Sequence, residues 1–406
     1  MDQPYLVRAK KIVTVSHAGT IHDGAMAIMD GKILEVGKWN EIRKRYPELP
    51  VQDYSDLVIT PSLVDCHTHL LEFAPSSLYP VTQVTHFLAG KAILFKALSS
   101  GITALGEQVC GHPLCNFSMA DYKNAVQGLP LDVTFAATSI SIGFEQMAHF
   151  TSVTQSRPVN QRTLSSPDLV KKIAAESEYP GENIFINATP ANFTADQVPR
   201  AGEVIYTIEE LKSITDIYHQ AGKRIGAHVA GEEGIRLALD AGIDVLHHAH
   251  GITDELIEKA ATQNVSVVTT PMGGTHLEPN SPENILSLVK SNIPVSISTD
   301  SYLPPYPGTT WLPFHDSKMQ GPDNLMLIAH PAMKLLEENN YEENEILALL
   351  TTNPAKILGK ESKYGSLETG KDANFLVAEG IPGLQITDVE EIKKVFYKGV
   401  MVIERK

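Results

Sequence analysis

Along the first sixty residues apolar and polar positions alternate in short runs, the period-two pattern of half-buried strands. Runs at 5–15, 24–29 and 32–36 are set apart by Asp23-Gly24 and Asp30-Gly31, dipeptides suited to hairpin turns. A further apolar step covers 57–60, and the only helix predicted before it is a short one near 41–45. From about Pro61 the pattern changes. Apolar runs of strand length now alternate with helix-length amphipathic segments, which predicts parallel βα units. The strands fall at 63–67, 102–107, 132–138, 183–187, 224–228, 243–248, 266–270 and 294–299. Helices are predicted at 84–99, 208–221, 232–241, 254–263 and 282–291, with Gly101, Gly222 and Gly242 supplying left-handed turns at their ends.

Eight strands in this alternation predict a closed TIM (β/α)8 barrel rather than an open sheet. Helices at 324–339 and 344–350 follow, and β texture returns at 364–368, 373–378 and 394–403. The expected fold class is therefore α/β. A barrel occupies 61–359, and a small β-sandwich domain is built from both chain ends, 1–60 and 360–406.

Composition narrows the function classes. At 43% hydrophobic and 20% charged residues the chain is globular. A formal net charge of −15 disfavours nucleic acid, because phosphate binding rests on clustered Lys and Arg. The apolar runs are strand-sized, far from the roughly 20 residues a bilayer requires. Met1-Asp2-Gln3-Pro4 does not begin a basic-then-apolar leader, and three cysteines cannot all pair internally, which fits a reducing compartment. These features predict a cytoplasmic homo-oligomer acting on a small-molecule substrate, with no membrane or nucleic-acid partner.

Chemistry concentrates at predicted strand ends, where active sites of such barrels lie. The first barrel strand ends Asp65-Cys66-His67-Thr68-His69, and period two puts Asp65, His67 and His69 on one face. The fifth strand ends in His228, the sixth in His247-His248 and the eighth in Asp300. Any one of these is more simply a hydrogen-bonded histidine or a turn cap. Four strand ends aimed at one point are not. Neutral imidazoles with a carboxylate suit a borderline divalent cation, zinc above all.

The chain resembles the amidohydrolase superfamily over nearly its whole length. The resemblance is carried by Thr60-Pro61-Ser62-Leu63-Val64-Asp65-Cys66-His67-Thr68-His69, by Ala227-His228-Val229-Ala230-Gly231-Glu232 and by Ala241-Gly242-Ile243-Asp244-Val245-Leu246-His247-His248. Ser298-Thr299-Asp300-Ser301, Thr352-Asn353-Pro354-Ala355 and Gly370-Lys371-Asp372-Ala373-Asn374 extend it. The texture is nearest to prolidase-like dipeptidases and imidazolonepropionases. The resemblance implies metal ligands at His67, His69, His228, His248 and Asp300, with Asp300 also the general base on the attacking water. His250 is the rival to His248, since parity puts both on one face.

One departure bears on the metal count. Prolidase-like members carry a carboxylated lysine on strand four that bridges two metals, and aligning 183–187 puts Asn187 at that position. An amide has no charge to screen two adjacent dications. The sequence therefore favours one metal per chain, with His248 hydrogen-bonding the water.

Weaker candidates for substrate contact are Glu107, which ends the second strand, and His149 and His276, which follow the third and the seventh. The pair Cys110 and Cys115 with His112 lacks the spacing of a zinc knuckle and reads as a pocket-lining loop. Residues 302–308 form a stiff proline-rich wall, with Trp311 and Phe314 as apolar contacts, and 150–169 reads as a specificity element or interface. The expected reaction is hydrolysis of a C–N bond of amide, dipeptide or carbamate type. A deaminase of a cyclic amidine is the alternative, to which the segment Ile21-His22-Asp23-Gly24-Ala25 also lends itself. It would place a proton-shuttling Glu at the position of Gly231, whereas Glu232 stands one further on. A non-catalytic barrel used as a binding subunit is the third reading, and it predicts broken ligands.

Overall fold

The structure, a computed structural model, describes residues 3–71, 82–109, 117–138, 165–188, 202–314 and 316–406. The N-terminal strands are β1 (Tyr5–Val13), β2 (Thr20–Met29), β3 (Lys32–Lys38) and β4 (Val51–Pro61). β1 and β2 pair antiparallel, as do β2 and β3, while β4 runs parallel to β1. The helix Trp39–Arg45 covers one face by packing Ile42 with Leu6, Ala25 and Ala27.

Eight parallel strands follow, in two arcs. β5 (Leu63–Thr68), β6 (Ile102–Val109) and β7 (Asp132–Ala137) form the first, and β8 (Ile184–Phe185), β9 (Gly226–Ala230), β10 (Val245–His250), β11 (Ser266–Thr269) and β12 (Val295–Ile297) form the second. Every residue of β5, β6, β9 and β10 is buried. Parallel strands with both faces covered read as near-continuous apolar runs, which is why these strands show no alternation. One face packs on the helices, and the other meets an interior core of Val64, Cys66, Ala104, Ala136, Tyr179, Val245 and Val268.

Both gaps between the arcs are bridged. At one, Asp300 N donates to His67 O (3.1 Å) and His69 N donates to Ser301 O (3.1 Å). Asp65 reinforces this seam by accepting from Thr299 N and, at 2.6 Å, from Thr299 Oγ1. At the other, residues 178–183 span from β7 to β9. Glu178 N donates to Phe135 O, Asn183 Nδ2 to Ala137 O, and Gly226 N to Asn183 Oδ1.

The chain closes with β13 (Phe375–Ala378), β14 (Ile392–Tyr397) and β15 (Val400–Glu404). β13 pairs antiparallel with β4, so both chain ends enter one sheet of order β15-β14-β13-β4-β1-β2-β3. The sequence suggests a sandwich. The hydrogen bonds instead make one seven-stranded sheet that curls, because Ile33 N reaches Lys371 O and Ala373 N reaches Gly31 O. Val7, Met26, Ile28, Phe375 and Phe396 fill the curl. No helix among the described residues is long and apolar enough to cross a membrane.

Candidate metal centre

His67 projects from β5 and is fully buried, while His69 lies just past the strand with a side chain 11% exposed. His228 comes from β9, His248 from β10, and Asp300 from just beyond β12. The structure brings all five together, around a sixth residue that sequence reasoning missed. That residue is Glu182, buried at the seam between the arcs. Its Oε1 lies 2.7 Å from His228 Nδ1 and 2.7 Å from His248 Nε2. Its Oε2 lies 3.5 Å from His67 Nε2 and 3.3 Å from His69 Nε2. Asp300 Oδ1 is 3.1 Å from His67 Nε2 and 3.5 Å from His69 Nε2.

Glu182 escaped notice because it precedes β8 instead of ending it. β8 has only two residues, and the carboxylate arrives from the bridging segment, where Glu182 N donates to Gln108 Oε1 (2.9 Å). The sequence signal available was Tyr179-Pro180-Gly181-Glu182, a turn with an acidic residue before an apolar run. Asn187, by contrast, is not at the centre. Its Nδ2 donates to Gly202 O and its Oδ1 accepts from Ala230 N, both at 2.8 Å. That amide pins the start of the helix Gly231–Ala241, so the argument for one metal from Asn187 loses its premise.

The parity that made His250 a rival of His248 fails for a local reason. The register of β10 against β9 shifts between His248 and His250, and His248 (φ +69°) and Ala249 (φ +50°) take left-handed backbone. His250 is thereby turned to Thr275 Oγ1 (2.7 Å) and Thr270 Oγ1 (3.1 Å). Burial, then the His228 charge, lowers the pKa of His248 well below its usual value and brings His250 to about 3. Burial opposes ionisation of Glu182, but the charges of His67 and His228 outweigh it and hold the carboxylate well below its ordinary range.

The donor set fits a cation. Thr270 has one hydroxyl proton and gives it to Gly273 O at 2.7 Å, an atom that only accepts. Thr270 Oγ1 must then accept from His248 Nδ1, also at 2.7 Å, which leaves His248 Nε2 as a bare lone pair facing Glu182. His67 Nε2 is likewise buried without a hydrogen-bond partner while aimed at two carboxylates. Lone pairs and anions facing each other in a buried space require a positive charge between them, which the metal-free centre takes as a proton on His67 and which a bound cation would replace. Three groups of side chains have ligand atoms within 4.8 Å of one another: His67, His69 and Glu182; Glu182, His228 and His248; and His67, His248 and Asp300.

The remaining predicted site residues divide. Glu107 is fully buried beneath the backbone after His69, accepting from Thr68 Oγ1 (2.6 Å) and Leu71 N (2.5 Å). It positions that segment. His276 is half-buried against Gly202, and burial followed by the His228 charge lowers its pKa. Trp311 and Phe314 are half-buried against the main core. His149, Cys110, His112 and Cys115, and most of 150–169, lie outside the described residues.

Comparison with known proteins bears on the family and the fold. The model of the amidohydrolase family matches residues 58–402, and that of a bacterial imidazolonepropionase-like composite domain matches 24–48. An imidazolonepropionase of Shouchella clausii is 24% identical over 98% of this chain and 93% of its own length. One from Pyrobaculum arsenaticum is 43% identical over 74 residues, 19% of that protein. A solved Xaa-Pro dipeptidase with methionine in its active site superposes with a TM-score of 0.71 at 15% identity, covering 99% of this chain and 100% of that one. The chain belongs to the amidohydrolase family. It is a metal-dependent hydrolase acting on carbon–nitrogen bonds.

Proposed function

We propose that this enzyme cleaves the C–N bond of an amide, dipeptide or carbamate-type substrate at the mouth of a closed (β/α)8 barrel spanning 61–359. The observation that carries the reading is the convergence of four histidines on the Glu182 carboxylate, with Asp300 facing His67 and His69 beside it. The two oxygens of Glu182 divide the histidines into pairs, Oε2 facing His67 and His69 and Oε1 facing His228 and His248. With one oxygen facing each histidine pair, Glu182 would serve both pairs and the centre could hold two divalent metals, zinc being the metal these donors suit best. A metal held there supplies Lewis acidity, acidifying water and polarising a carbonyl.

Asp300 acts as the base. It is 5% exposed, the left-handed backbone at φ +52° turns it from the strand end, and Asp65 fixes its neighbour Thr299. Its carboxylate takes the proton of water and passes it to the leaving nitrogen. A deaminase reading needs a shuttle near residue 231, but Glu232 is exposed and paired with Arg236 at 2.8 Å on the helix surface. The binding-subunit reading needs a broken ligand set, whereas His67, His69, His228, His248 and Asp300 each fall in a group that could hold a cation.

The test is a turnover screen of the zinc-loaded enzyme against N-acyl amino acids, dipeptides, carbamates and ring amidines. Release of a free amine from one of the first three classes is the expected result. Ammonia from ring amidines alone would establish a deaminase instead. No turnover in any class, with His67→Ala unchanged in metal content, would leave only a binding subunit.

A further inference from the structure

His247, like His250, is a histidine of β10 that neither the ligand set nor the proposed chemistry uses. It is fully buried. Its Nε2 lies 3.0 Å from Pro180 O, and its Nδ1 lies 2.8 Å from His67 Nδ1. A carbonyl oxygen only accepts, so His247 Nε2 carries the ring's proton and His247 Nδ1 is an acceptor. His67 Nδ1 must then donate to it, and the lone pair of His67 is confined to Nε2. That is the atom aimed at Glu182 and Asp300.

We propose that His247 is a positioning residue that sets the tautomer of His67 and ties it to the segment bearing Glu182. Pro180, which anchors the relay, stands two residues before Glu182, and Gly226 leaves the space in which that turn lies. A Cβ at Gly226 would come within 2.0 Å of Gly181 O. One imidazole thus couples a ligand from the first barrel strand to the carboxylate at the opposite seam. Ligating histidines usually donate to a carboxylate or a carbonyl. A neutral imidazole is the acceptor here, one that adds no further anion to a centre already holding Glu182 and Asp300.

The inference rests on the metal-centre reading, and its test separates the two. Zinc affinity is measured by chelator competition on wild type, His247→Phe and His247→Gln, with thermal melts of the metal-free proteins as a check of folding. Phe keeps the ring's shape and removes both nitrogens, whereas Gln keeps one acceptor and one donor. The expected result is a 10–100-fold weaker zinc affinity in His247→Phe, the range typical of lost outer partners, and near wild-type affinity in His247→Gln. Wild-type affinity in His247→Phe overturns the inference, as does an equal loss in both variants. Should His247→Phe not fold, His247→Asn replaces it, its shorter amide reaching only one partner, and equal affinity of Asn and Gln variants is then the overturning result. Wild type that binds no zinc overturns the metal-centre reading itself.

Discussion

Glu182 Oε1 stands 2.7 Å from His248 Nε2, joining the bridging segment before β8 to the shifted end of β10. Neutralising that carboxylate leaves the lone pairs of four histidines around an uncharged amide. Glu182→Gln is therefore expected to bind fewer than two zinc ions per chain. Its turnover should drop by more than the roughly 10–100-fold typical of outer partners. Metal analysis of the purified variant checks this, and two tightly held ions with normal activity would refute the bridging role.

Metal removal should destabilise the whole enzyme, because the centre ties β5, β9, β10 and the end of β12 together. A ligand bound only by the folded state adds ~2.7 kcal/mol at one hundred times its dissociation constant. The melting temperature should fall on chelation and recover with added zinc. His67→Ala should abolish that response.

Gly274 runs directly over the centre. A Cβ there would lie 2.3 Å from Asp300 Oδ2 and 2.5 Å from His248 Cε1, and its φ of +112° is one that L side chains rarely adopt. Gly274→Ala is expected to cost about 1–3 kcal/mol through backbone strain. Displacing Asp300 should lower turnover by about 100-fold. Thermal melts and steady-state kinetics read the two effects separately, and a variant with wild-type kinetics would contradict this placement of the loop.

Cys66 sits beside His67 in sequence but faces the interior between the two arcs, where its Sγ donates to Ser296 Oγ at 3.3 Å. Burial pushes its thiol up to about 12, so the reactive thiolate is scarce at neutral pH. Alkylation followed by peptide mass spectrometry should leave Cys66 unlabelled in the native enzyme and label it fully after unfolding. Native labelling at pH 8 would show the strand to be open.

Glu107→Ala should lower stability without altering metal content, since it strands the buried Leu71 N at a cost of about 1–3 kcal/mol. Melting temperature and metal analysis together check this. Loss of zinc at unchanged stability would instead move Glu107 into the centre.

The strand and helix order was legible in the sequence because each rests on local periodicity: the eight parallel strands overlap the eight apolar runs. His67, His69, His228 and Asp300 were legible for the same reason, each lying at or just beyond the end of such a run. Three things were decided only by tertiary structure. The left-handed backbone at His248 and Ala249 broke the parity of β10 and separated His248 from His250. Glu182 reached the histidines from a bridge between two arcs, which no strand-end rule anticipates, while Asn187 was claimed by Gly202 and Ala230. The hydrogen bond that orients His247 beside His67 is made to Pro180, 67 residues away in sequence. Periodicity encodes which face a side chain takes within its own element. Which partner meets it from the other arc follows from how the two arcs pack together, and that is a property of the packed chain.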